Sequence, residues 1–212
     1  AEIEAYQRVI DGARQVVKNY RPLIDVRNDW PIVNLASVAF FQEGPGILAK
    51  DFRNNGIPLV RLAGLRGNTA TLDGCNYLDP AQVEAKWSHF KLDVGDILVL
   101  TSASFGRPAI VGPEVAGAIA YTGIIRFKSI STELDQGYLR QFLGSPNFLN
   151  QADSFAAGAV IKHFGPTHLK QMTIPLPPIE VQRDISASMQ FEQSIVDGNK
   201  DLITRFEAKV RA

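Results

Sequence analysis

The stretch Gln7-Arg8-Val9-Ile10-Asp11-Gly12-Ala13-Arg14-Gln15-Val16-Val17 returns near the other end of the chain as Gln193-Ser194-Ile195-Val196-Asp197-Gly198-Asn199-Lys200-Asp201-Leu202-Ile203. The match widens to Ile3 with Met189 and Tyr20 with Phe206, every pair 186 positions apart. An internal repeat constrains architecture ahead of any local propensity. Both copies are helical by period. Met189, Val196, Ile203 and Val210 recur every seven residues, with Ile185 and Phe206 interleaved and Ile195 and Leu202 widening the stripe. Ile3, Ile10 and Val17 repeat the pattern, with Tyr6, Ala13 and Tyr20 interleaved and Val9 and Val16 alongside. Such a seam suits lengthwise packing on another helix. The Asp-Gly pairs would ordinarily mark turns, but the period passes through both. Gly12 and Gly198 therefore read as places of close helix approach or a mild kink, and Asn199 as an amide on the inner stripe that sets register. A second reading stays open, in which both segments are core helices of one globule.

Proline and glycine border the middle. Arg21-Pro22 ends the first helix, Asp29-Trp30-Pro31 opens a new section, and Ile174-Pro175-Leu176-Pro177-Pro178 is an extended lead-in where no helix continues. From Ile179 to Val210 the period implies ~50 Å of helix at ~1.5 Å per residue. Between the borders, Ile57 to Leu62, Ile97 to Thr101, Ala109 to Val111 and Gly123 to Phe127 read as strands, with a turn at Val94-Gly95-Asp96. Tyr138 to Leu143 and Asn147 to Ala152 read as short helices. The expected fold class is α+β: a β-rich globular domain with long amphipathic helices at both ends forming a coiled-coil-like spacer. The segments are 1–21, 22–178 and 179–212. The rhythm of a doubly wound sheet is missing.

Composition matters chiefly for what it removes. Lys and Arg number 22 against 22 Asp and Glu, so no global charge announces a polyanionic partner, and a nucleic-acid reading must rest on local patches. The single Cys75 rules out an intrachain disulfide or cysteine zinc cluster and suits a reducing cytoplasm. Neither a membrane span nor a signal peptide can be drawn. The chain starts at Ala and reads as a piece of something longer.

The phrases Trp30-Pro31-Ile32-Val33-Asn34-Leu35, Gly56-Ile57-Pro58-Leu59-Val60-Arg61, Leu92-Asp93-Val94-Gly95-Asp96-Ile97-Leu98-Val99, Tyr138-Leu139 with Ser145-Pro146, Leu169-Lys170, and Ile174 through Pro177-Pro178-Ile179-Glu180-Val181-Gln182 come in an order that resembles the target-recognition domain of type I restriction–modification specificity subunits. The proline-rich phrase running into an acidic residue, Gln and a long helix is the most specific part. Complete subunits of that family resemble two units, each a recognition domain followed by a long helix, with the helices antiparallel. The resemblance implies a spacer helix, a recognition domain and the next spacer helix: a half-subunit, or part of a methyltransferase–specificity fusion. It implies double-stranded DNA and N6-adenine methyltransferase subunits as partners, with a restriction subunit and a homodimer through the terminal helices. S-adenosylmethionine is expected in the partner subunit and no cofactor in this chain.

The residue chemistry points the same way. Walker and dinucleotide loops are missing, as is the (N/D)PP(Y/F) loop of an adenine methyltransferase. Asp79, Glu84 and Lys86 imitate a metal nuclease and keep that rival reading open, whereas His89, His163 and His168 lack metal-ligand spacing. Ser102 and Ser104 lack a nucleophile elbow. What remains is base- and phosphate-reading chemistry in loops: Arg53, Asn54 and Asn55; Arg66 and Asn68; Ser102, Ser104 and Arg107; Lys162, His163 and Lys170. The helix contact is expected at Ile3, Ile10, Gly12, Val17, Met189, Val196, Gly198, Asn199, Ile203, Phe206 and Val210. A pure protein-interaction module built on these helices is the third reading.

Overall fold

The computed structural model describes residues 2–20, 22–101, 108–155 and 164–211. Helix α1 (Glu2–Asn19) leads to β1 (Ile32–Asn34), α2 (Leu35–Val38) and β2 (Ala39–Glu43). Next come β3 (Phe52–Arg53), β4 (Ile57–Val60), β5 (Asn76–Leu78) and α3 (Pro80–Lys86), then β6 (Ile97–Leu100), β7 (Ala109–Ile110), β8 (Ile119–Ala120) and β9 (Ile124–Ser129). The chain closes with α4 (Gln136–Gly144), α5 (Pro146–Phe155), α6 (Pro166–Leu169), β10 (Thr173–Pro175) and α7 (Ile179–Arg211). Among the described residues the architecture is α+β, with helices at both ends and three small sheets between.

One sheet has the order β2-β9-β6-β7 and a second β3-β5-β4-β8, while β1 and β10 form a two-stranded ribbon. The ribbon places Ile32 opposite Pro175, so the lead-in to α7 is tied to the start of the domain. Strand β6 is buried at every position, which is why its run Ile97-Leu98-Val99-Leu100 shows no alternation. The largest core joins β6 and β9 to Tyr138, Leu139, Phe142 and Phe148, and Met189 of α7 lies within it. Gly56 has φ of 127°, and a Cβ there would stand 2.1 Å from the Leu78 carbonyl oxygen. Only glycine fits that turn.

The four predicted strands and both internal helices are present, with shifted ends. Arg61 and Leu62 fall outside β4, because the chain turns into a 3₁₀ segment, Leu62–Leu65. Strand β2 was not anticipated; its burial is irregular, so Ala39-Phe40-Phe41-Gln42-Glu43 carries no clean period of two.

The two end helices pair antiparallel. Tyr6 stacks on Phe206 at 5.0 Å between ring centroids, while Pro22, just past α1, shares a cleft with Gln190 and Gln193. Ile10 and Ala13 are buried on α1 and Val196 on α7, with Val17, Ile203, Phe206 and Val210 half-buried. Ile3, at the open end of the pair, stays exposed. Both helix readings describe part of α7: Val181, Ile185 and Met189 pack on the domain core, and its later turns pair with α1.

Two expectations about the seam are corrected. Gly12 and Gly198 are exposed, and an added Cβ would meet nothing within 4 Å at either site. They lie on the outer face, so they mark no close approach, and the helices run unbroken through them. Asn199 is half-exposed and donates from Nδ2 to the Ile195 carbonyl at 2.8 Å. It binds its own helix rather than setting register across the seam.

Candidate nucleic-acid interface

The signature phrases are fasteners between the middle domain and α7. Gln182 is fully buried. Its Oε1 accepts from the Asp135 amide at 2.8 Å, and its Nε2 donates to the carbonyls of Glu133 and Pro177, each at 2.7 Å. One side-chain amide thus joins α7, the loop before α4 and the proline lead-in. Tyr138 adds a second tie, its buried hydroxyl donating to the Pro175 carbonyl at 2.9 Å. Burial pushes its phenol above the ordinary value, which keeps the hydroxyl protonated. Asn34 caps α2 by accepting from the Ala36 amide and donates from Nδ2 to the Lys170 carbonyl at 2.8 Å, holding β1 against the turn before β10.

The proposed base-reading residues are spread over the domain. Arg53, Asn54 and Asn55 are exposed on the turn from β3 to β4, where these strands flank β5. The Arg53 guanidinium donates to the carbonyls of Lys50 and Phe52, which folds it over its own turn. Arg66 is exposed just after the 3₁₀ segment. Asn68, two residues on, is committed within the fold: its Nδ2 donates to Asp197 of α7 at 3.0 Å, and its carbonyl accepts from Arg140 and from the Ile110 amide. Lys170 is exposed at the end of α6, beside the β1–β10 ribbon. Ser102, Ser104, Arg107, Lys162 and His163 lie outside the described residues.

Two members of the nuclease-like constellation, Asp79 and Glu84, have structural partners, and Lys86 is exposed at the end of α3. Asp79 caps α3, accepting from the Gln82 amide at 3.0 Å, and Glu84 pairs with Lys91. His168 accepts at Nδ1 from the Gly165 amide, and His89 stacks on Phe90. No group of three or more metal-ligating side chains is found among the described residues. No described helix is long and apolar enough to cross a membrane.

Three arginines escaped the reading of the sequence. Arg61 lies 4.1 Å over the Tyr121 ring, near Phe52 as well, and donates to Asn76. Arg126 reaches Asp96 at 3.6 Å from beside Phe40, and Arg140 ties Asn68 to Pro108. Only the distal placement of Tyr121, Asp96 and Asn68 reveals them. An arginine in or beside a regular element carries no local mark of a partner so far away in sequence.

Residues 27–205 match the sequence model of the type I restriction modification DNA specificity domain. The chain belongs to that family. The specificity domain is 23% identical over 195 residues to the type I restriction enzyme EcoBI specificity subunit of Escherichia coli, an alignment covering 87% of this chain and 37% of that protein. Its fold resembles a chain from a structure concerned with complex assembly and conformational transition of the type I restriction–modification system (TM-score 0.66, 18% identity, 100% of this chain and 54% of that one). It also resembles the HsdS subunit from Thermoanaerobacter tengcongensis, with a TM-score of 0.60, 18% identity and coverage of 97% and 50%. A more distant likeness is to the type IIG restriction endonuclease BpuSI, with a TM-score of 0.54, 12% identity and coverage of 93% and 33%. The specificity domain thus spans about half or less of each of these relatives. At such identities the solved structures speak for the fold alone.

Proposed function

We propose that this specificity domain reads one half of a bipartite double-stranded DNA target for a type I-like restriction–modification system, with its helices fixing where the second half is read. The observation that carries this is a domain of the DNA specificity family fastened through buried Gln182 to a helix of 33 residues. At ~1.5 Å per residue that helix is ~50 Å long, about one and a half turns of duplex at ~34 Å per turn. A reader on so long an arm suits a target with a fixed gap. Arg53, Asn54, Asn55, Arg66 and Lys170 are the exposed described residues assigned to base and phosphate contact.

The outer face of the helix pair supports the rest of the reading. Val9 and Val16 on α1 and Phe191 and Ile195 on α7 remain exposed, Phe191 at 68%. The inner seam is already filled within the chain, so this outer stripe is assigned to N6-adenine methyltransferase subunits. Those subunits would bring S-adenosylmethionine. Assembly as a homodimer, and recruitment of a restriction subunit, would likewise use the outer stripe.

Light scattering combined with selection from a randomised duplex pool, with and without an N6-adenine methyltransferase partner, tests the proposal. A dimer or partner complex enriching a split motif with one gap is the expected result. A monomer enriching one undivided motif would favour a second reading, a recognition domain within a longer fusion; the fold of this chain recurs in 33% of the longer BpuSI chain. Enrichment of nothing would overturn both.

A further inference from the structure

The helical repeat encodes a polar device as well as an apolar seam. On α1, Asp11 Oδ1 accepts from Gln7 Nε2 at 3.2 Å and lies 3.5 Å from Arg14. On α7, Asp197 Oδ1 accepts from Gln193 Nε2 and from Lys200 Nζ, each at 2.9 Å. In both copies a glutamine one turn before and a cation one turn after hold the same carboxylate oxygen against the helix. The copies then diverge. Asp11 faces solvent, its side chain 61% exposed, whereas Asp197 Oδ2 accepts from Asn68 Nδ2 at 3.0 Å.

Asn68 is held by its backbone on its own side. Its carbonyl accepts from the Ile110 amide and from Arg140 Nη2, each at 3.0 Å, and Arg140 Nε also donates to the Pro108 carbonyl. The contact borders an open cleft of about 360 Å³ lined by Pro22, Pro108, Arg140, Gln190 and Asp197 among others. At the rim of that cleft the Asn68–Asp197 hydrogen bond joins the domain to the helix.

We propose that the Asn68–Asp197 bond is a positioning strut that sets the tilt of the recognition domain on its spacer helix, and through that tilt the gap between the two half-sites. The domain core grips α7 from Gln182 as far as Met189; position 197 is 8 residues beyond Met189, or ~12 Å at ~1.5 Å per residue. A grip that ends at Met189 leaves the later turns free to lean away from the domain, and a contact at position 197 removes that freedom. A tilt of about 16° about Met189 moves a point ~12 Å away by ~3.4 Å, the rise of one base pair. Looseness of that size therefore changes the gap by a whole step. The gap consequence rests on the function proposed above; the strut itself does not.

The test uses Asn68→Ala and Asp197→Ala, with Asp11→Ala as a control that loses the same intrahelical contacts and no domain contact. Spin labels at Ala85→Cys on α3 and Ala208→Cys on α7, in a Cys75→Ser background, report the distance distribution by pulsed electron resonance. Both strut variants are expected to widen it at least about twofold, while the control and Asp197→Asn, which keeps an acceptor oxygen, retain the parental width. Equal widths in all variants would overturn the strut. Selection from a duplex pool supplies the second arm. Strut variants should enrich the same half-site bases with gaps spread over neighbouring lengths, and one unchanged gap would overturn the link to spacing. A parent that enriches no split motif would sink the proposed function, and the distances would still decide on the strut.

Discussion

Single side chains decide how firmly the domain sits on its helix, and Gln182 is the clearest case. Replacing it with Ala leaves the Asp135 amide and two carbonyls without their partner in a buried site, at a cost of about 1–3 kcal/mol per unsatisfied group, less where water enters. Urea unfolding of Gln182→Ala should show a loss of at least about 2 kcal/mol, and an unchanged midpoint would refute the fastening. Asp96 offers a pH test. It is 1% exposed, and its Oδ1 has no hydrogen-bond partner among the described residues. Burial raises its carboxyl above the ordinary range, outweighing the Asp93 amide and the Arg126 charge, with Asp93 adding to the rise and Lys128 opposing it. The folded chain thus holds this proton more tightly than the unfolded chain, whose Asp titrates near ~3.9. The contribution is full below that value and is lost as pH rises through the raised one. The stability of the parent minus that of Asp96→Asn should therefore fall as pH climbs from about 4, and a rise instead would mean that Arg126 governs the site. Neither role is legible in sequence: Gln182 follows a recognisable phrase, but its partners Glu133 and Asp135 lie nearly fifty residues earlier.

Among the elements, α7 carries two roles in succession. Its first turns close the domain core through Val181, Ile185 and Met189, and its later turns pair with α1. The seven-residue spacing foretold the pairing because a stripe at that period must be covered lengthwise. It did not distinguish inner from outer faces, since Val9 and Ile195 have the same apolar character as Ile10 and Val196, yet stay exposed. The glycines show the consequence. Gly12 and Gly198 have open space where a Cβ would go and lie within unbroken helices. Gly12→Ala and Gly198→Ala should each raise stability by up to about 1 kcal/mol, read as a higher unfolding midpoint. Close packing at either position would give a loss instead. Ile10→Ala should act oppositely, costing about 2–3 kcal/mol by opening a hole in the seam.

For the molecule as a whole, the balance of 22 basic and 22 acidic residues leaves the proposed DNA binding to a few exposed groups. Arg66→Ala is expected to weaken binding in one of two distinguishable ways. If Arg66 holds a phosphate, the loss is uniform across sequences and the slope of log affinity against log salt falls by about 1. If it reads a guanine, discrimination at one position relaxes by about 1–3 kcal/mol. Affinity and selectivity both unchanged would remove Arg66 from the interface. The sheets position these residues without announcing them, because a solvated Arg in a turn and a base-reading Arg look alike until a partner or a fold neighbour is present.

The amino-acid sequence by itself determined the repeat, the borders at Pro22 and Pro175–Pro178, the buried strand at Ile97–Leu100 and the family, because periodicity, proline and phrases such as Pro177-Pro178-Ile179-Glu180-Val181-Gln182 are written in neighbouring residues. Only the tertiary structure decided that α1 lies on α7 of the same chain, that Gly12 and Gly198 face outward, and that Asn68 holds Asp197 rather than standing free in its loop. Each of these depends on which surfaces meet across many residues of intervening chain. Local patterns specify faces; the packing of the whole chain chooses their partners.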